Sequence, residues 1–137
     1  MKKVKYSDLN ARQKEIYNFQ KVSAIFADFG YTTVKLSDDW MGADFIAISF
    51  NGNKYLKVQL KGRLTFEKKY HNKNIYICFH DQTSDSWYLY PHDKVLKKIT
   101  KTKKGIKSSK SWKNVGGYSS GVLSIDTKKI LSQYLFR

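Results

Sequence analysis

The stretch GADFIAISFNGNKYLKVQLKG, Gly42 to Gly62, decides how this chain folds. Asn51-Gly52 at its centre signals a two-residue type I′ turn, whose central positions both need positive φ. The flanking segments alternate and are rich in Ile, Phe, Val and Tyr, as half-buried strands are. Folding at Asn51-Gly52 sets Phe50 against Asn53, Ile48 against Tyr55, Ile46 against Lys57 and Asp44 against Gln59. Directly opposed residues have Cβ atoms about 4.5–5.5 Å apart. Lys61 lies two residues beyond Gln59, on the same face. The other face carries Phe45, Ala47, Leu56, Val58 and Leu60 and reads as core. A slip of one residue would scatter Asp44, Gln59 and Lys61 and turn the apolar set outward.

Outward from the hairpin, residues from about Asn10 to Phe29 read as a helix. Phe19, Val22, Phe26 and Phe29 recur at spacings of three and four and form one apolar stripe. Glu15 sits on the axis of that stripe and should project toward the core side. Gly30 is placed to end the helix. Tyr31 to Leu36 reads as a short strand, and Ser37 to Gly42 as a loop into the hairpin. Further strands are expected at Asn74 to Phe79 and Trp87 to Tyr90. Pro91 should open a helix with Val95, Leu96 and Ile99 on one side. Thr100 to Gly121 reads as a long exposed loop, with a strand near Val122 to Ile125 and a last helix capped by Asp126 and running through Tyr134. Arg63 to Lys73 is open between a β excursion, a short helix and a loop.

A length of 137 residues, with no repeat and no linker, suits a single domain over 1–137. Lys and Arg number 26 against 11 acids, a net charge of +15, which argues for a polyanionic partner, nucleic acid ahead of a membrane surface. Only two of the acids are Glu, so each clustered acid carries weight. Cys78 is the lone cysteine, excludes an intramolecular disulfide and suits a reducing cytoplasm; it reads as a small apolar strand residue. No apolar run is long enough to span a bilayer.

A helix with an inward acid, a strand, then a hairpin bearing Asp on one strand and Gln-x-Lys on the next resembles the PD-(D/E)xK nuclease superfamily, which includes restriction endonucleases, Holliday-junction resolvases and some homing endonucleases. The resembling part runs from about Asn10 to Lys61, and more loosely through Trp87-Tyr88-Leu89-Tyr90-Pro91. Ala43 stands where the motif has Pro, and Gln59 where it usually has an acid.

The resemblance implies an α/β, restriction-endonuclease-like mixed β-sheet flanked by helices, with an α-β-β-β core and a catalytic hairpin. It implies a Mg²⁺-dependent endonuclease, with Mn²⁺ as substitute, hydrolysing DNA phosphodiester bonds. Asp44, Gln59, Lys61 and Glu15 would be catalytic. Asp44, the Gln59 amide oxygen, the Leu60 carbonyl and Glu15 would be metal ligands, the last through a water or a second ion. Mg²⁺ favours oxygen ligands and retained waters. Lys61 would orient the attacking water or offset charge on the phosphorane, and both a nearby ion and burial would disfavour its protonated form. Asp38 and Asp39 are rival ligands, for which a turn or cap role is the expectation. Gln59 leaves open a nuclease-fold binding protein without turnover, and beyond that an unrelated basic nucleic-acid or nucleoprotein binder.

Nine lysines and no acid lie between Lys94 and Lys113. Lys101, Lys103, Lys104, Lys107, Lys110 and Lys113, interleaved with Ser, Thr and Gly, can meet phosphates with side chains and backbone amides. Arg63, just past Lys61, is a further phosphate contact. Trp112 and Tyr118 are open between stacking on bases and anchoring in the core. The expected substrate is double-stranded or branched DNA, and a homodimer would serve double-strand cutting.

Overall fold

A computed structural model describes residues 1–102 and 105–137. Helix α1, Ala11–Asp28, opens with a reciprocal cap: Asn10 accepts from the Gln13 amide, and the Gln13 side chain accepts from the Asn10 amide. It stops where Gly30 turns left-handed, with φ +74. Strands β1 (Tyr31–Trp40), β2 (Ala43–Ser49) and β3 (Tyr55–Lys61) follow as two hairpins. After β4 (Leu64–Glu67) come β5 (Ile75–Asp81) and β6 (Ser86–Pro91).

The sheet order is β1-β2-β3-β5-β6. Only β3 and β5 pair in parallel, so the sheet is mixed. Helix α1 covers one face, packing Val22 and Phe26 onto Phe45, Ala47, Val58 and Cys78. The other face lies under helix α2 (His92–Thr102), helix α4 (Ile125–Leu131) and a two-stranded sheet of β4 with β7 (Gly117–Ser120). The expected α/β mixed sheet flanked by helices is therefore the observed architecture. Among the described residues, no helix is long and apolar enough to cross a membrane.

The β2–β3 register is the expected one, with Ile48 opposite Tyr55 and Ile46 opposite Lys57. The turn differs. Gly52 alone has positive φ, the Gly52 amide donates to the Ser49 carbonyl, and the Ser49 amide donates to the Lys54 carbonyl, leaving a four-residue loop. The two-residue turn sits instead at Met41-Gly42, where φ is +52 and +89 and Trp40 pairs with Ala43. Hence β1 runs on to Trp40, and Ser37 to Trp40 is strand rather than loop. The pairing with β2 breaks after Lys35 and resumes at Trp40, so Ser37 to Asp39 bulge from the ladder.

Among its described residues, the 100–121 region is not an exposed loop. It holds the end of α2, a short helix α3 (Gly105–Ser108), a π-helical turn (Ser111–Val115) and β7. Ile106 and Trp112 are buried and pin the segment to the core, which settles Trp112 as an anchor. The strand falls at Gly117–Ser120, not at 122–125, because β7 pairs with β4. Arg63 to Lys73 resolves into β4 and a 3-10 turn, Lys68–Tyr70. Ser124, not Asp126, caps α4, accepting from the Thr127 amide. Helix α4 itself ends at Leu131, and a 3-10 turn carries the chain through Tyr134.

Candidate functional site

Asp44 stands at the start of β2, and Gln59 and Lys61 at the end of β3. The Asp44 carboxylate accepts a 2.9 Å bond from the Leu60 amide, which locks it to the opposite strand. Burial raises its pKa, against the Leu60 bond, the Gln59 amide and the nearby Lys61, with Asp39 adding to the rise. Gln59 is buried, and its Oε1 has no hydrogen-bond partner among the described residues. The sheet thus brings together a carboxylate that burial holds back from ionising and an amide oxygen that lacks a donor. Both are answered by a cation.

Asp44 also lines a hollow of about 420 Å³ with Glu15, Arg12, Lys35, Asp38 and Asp39. Four of the chain's 11 acids, Glu15, Asp38, Asp39 and Asp44, therefore face one space in a strongly basic protein. Asp38 and Asp39, expected in a turn, are exposed strand residues on its wall. Glu15 does come to the hollow but is not buried: Lys35 holds it at 2.8 Å and Arg12 at 3.2 Å. The Lys35 bond leads in lowering its pKa. Among the described residues, no three Asp, Glu, His or Cys side chains gather tightly enough to hold a metal by themselves.

The surroundings of Lys61 favour its ammonium form against the effect of burial. Its ammonium bonds Glu67 at 2.8 Å and lies 5.3 Å from the centre of the Tyr70 ring. Burial disfavours the ammonium, but Glu67 and Tyr70 outweigh it, and the pKa is raised. Glu67 is itself partly buried, yet Lys61 and Lys69 bring its pKa below the usual carboxylate value. Its backbone is fixed as well: the Glu67 amide donates to Nε2 of buried His92, whose Nδ1 faces Asp93 at 2.8 Å. Burial lowers the His92 pKa and keeps the ring a neutral acceptor. Sequence reasoning missed Glu67, Tyr70 and His92 as parts of this site. Only the scarcity of Glu pointed to the first.

Tyr70 also fixes the strand that carries Asp44. A Cβ at Gly42 would stand 3.0 Å from its ring, so the turn passes directly over it. The Tyr70 hydroxyl is buried beside the Lys61 ammonium.

Of the expected phosphate contacts, Arg63 is exposed beside Gly62 on the rim of a hollow of about 290 Å³. Lys101, Lys107, Lys110 and Lys113 are exposed on the helical segments. Lys103 and Lys104 lie outside the described residues. The basic segment is tied to β4 next to Glu67, since the Lys68 amide donates to the Gly116 carbonyl at 2.7 Å and Gly117 pairs with Glu67.

No family model and no curated protein matches this chain. Among solved structures it is similar to a bacterial homing endonuclease, I-Ssp6803I, at a TM-score of 0.45 and 17% identity, over 61% of this chain and 67% of that one.

Proposed function

We propose that this protein is a Mg²⁺-dependent endonuclease that hydrolyses phosphodiester bonds of DNA at the Asp44–Gln59–Lys61 cluster. The observation that carries the reading is the pairing of a partly buried Asp44 carboxylate with the unpartnered Gln59 Oε1, beside a held ammonium. These residues fit a hard cation that takes few protein ligands and keeps its waters. Asp44, Gln59 Oε1 and the Leu60 carbonyl would hold it, with Glu15 reaching through a water. When bound, Mg²⁺ polarises the phosphate and acidifies the attacking water.

The chain's own residues do the rest. Lys61 keeps its proton because Glu67 holds it, and its ammonium offsets charge gathering on the phosphorane. Glu67 and Tyr70 aim it; His92 fixes Glu67. Arg12 and Lys35 hold Glu15 at the rim. The exposed lysines after β6 draw in the phosphate backbone.

A nuclease-fold binder without turnover is favoured by one observation: Glu67 already satisfies Lys61. Cleavage of supercoiled plasmid and of a branched junction with Mg²⁺ or Mn²⁺ separates the two. The native protein should nick or linearise, whereas Asp44→Asn and Lys61→Ala should lose at least about a hundredfold in rate and keep DNA binding. Asp44→Asn should also unfold at no lower denaturant than the native chain at neutral pH. A raised carboxyl pKa contributes stability below its ordinary value and loses it as pH rises through the folded value, so removing the charge relieves a cost. Tight binding with no cleavage by any of the three proteins would establish the binder.

A further inference from the structure

A second hollow, of about 450 Å³, lies along another side of α1, against the β5–β6 turn. Arg12 and Glu15 of α1 line the Asp44 hollow, whereas Tyr17, Asn18 and Lys21 line this one. Its position follows from the sheet. Strands β3 and β5 are parallel, Lys61 pairs with Phe79, and His80 is the next residue along β5. The second hollow therefore opens on the α1 face at the end of the sheet where β3 stops, whereas the Lys61 side chain lies on the opposite face against Tyr70.

Two pairs of rings face it. Tyr6 and Tyr17 have centroids 5.3 Å apart, and His80 and Trp87 4.9 Å apart. Tyr17 is exposed, and Tyr6, His80 and Trp87 are half-buried, Trp87 packing in part against the α1-side core. Cations stand over one pair: Lys14 lies 5.6 Å from the Tyr6 ring and Lys21 5.4 Å from the Tyr17 ring. Two amides and one acid complete the lining, the acid being Asp85, whose exposed carboxylate is paired with His80 Nε2 at 2.9 Å. Asn18 donates to the Tyr6 hydroxyl at 2.9 Å, which leaves its oxygen to accept, and Gln82 is an exposed amide with a donor and an acceptor.

A ligand that uses all of this is flat, has π faces for the rings, carries donors and acceptors on its edge and is attached to negative charge. An apolar ligand would strand the amides, and a free anion would not need the rings. We propose that this hollow holds an unpaired nucleobase of a nucleic-acid strand whose phosphates pass around that end of the sheet toward Lys61. This rests on the nuclease reading above and adds to it a substrate with at least one unstacked base.

The test compares a short oligothymidylate with an abasic oligomer of the same length and charge, both titrated without divalent metal. Native protein should bind the base-bearing oligomer about tenfold more tightly, as stacking of one base gives. Tyr17→Ala and Gln82→Ala, both at exposed positions, should each remove most of that preference and leave the abasic affinity unchanged. Asp44→Asn should keep it. Equal affinity of the native protein for the two oligomers, or a preference intact in both pocket variants, would overturn the proposal. The two readings fail apart: plasmid cleavage without a base preference removes this pocket alone, and a base preference without cleavage removes the nuclease alone.

Discussion

Lys61 shows how far one residue's chemistry depends on the neighbours the fold sets around it. Its motif position gives it a role, and burial alone would push it toward the neutral amine. Glu67, six residues on, reverses that. The pair's contribution to stability has two edges: it is lost as pH falls through the lowered Glu67 pKa and as pH rises through the raised Lys61 pKa. Replacing Glu67 by Gln leaves burial unopposed by a charge, so the alkaline limb of the cleavage pH profile should move to lower pH, with the acid limb little changed. A pH–rate series on the two proteins reads this directly. An unmoved limb would mean that Lys61 protonation does not govern the reaction.

Among the elements, the hairpin of β2 and β3 kept its register although its turn was not the expected one. Apolar alternation on both strands sets the register, because a slip would expose Phe45, Ala47 and Val58. The loop at 50–53 only has to join strands already in place. The positive-φ pair appeared at Met41-Gly42, where Met gives no sequence signal for it. Helix α1 was legible for the opposite reason: its cap, stripe and terminal glycine are all local. Its cap also bears on the site, since the first turns carry Arg12 and Glu15. Asn10→Ala should cost about 1 kcal/mol in denaturant unfolding. It should also slow cleavage severalfold by freeing Glu15 from the hollow, without abolishing it. Unchanged cleavage at the lower stability would take Glu15 out of the site.

For the whole molecule, charge is partitioned rather than spread. Four acids gather at one hollow, while the chain as a whole carries +15. The basic segment next to β4 presents Lys101, Lys107, Lys110 and Lys113 on helical segments, and Ile106 and Trp112 anchor it. Phosphate binding by such a surface should appear in the salt dependence of DNA binding. Replacing Lys107, Lys110 and Lys113 by Ala should flatten the slope of log affinity against log salt by roughly 0.9 for each phosphate that is no longer neutralised. An unchanged slope would remove this surface from the interface.

The amino-acid order alone determined the first helix, the hairpin register, the single candidate core face of that hairpin and the meeting of Asp44 with Gln59. Each depends on periodicity or on pairing across a short loop, which local sequence encodes. Only the tertiary structure decided that Glu67, Tyr70 and His92 hold and surround Lys61, that Asp38 and Asp39 face the Asp44 hollow, and that the lysine-rich segment is folded. The placements of Glu67 and of the lysine-rich segment come from β4 pairing with β7, where partners 50 to 56 residues apart meet, and from packing between layers, which brings His92 to Glu67 across 25 residues. No periodic pattern in the chain records such meetings, because they are set by which buried surfaces fit together.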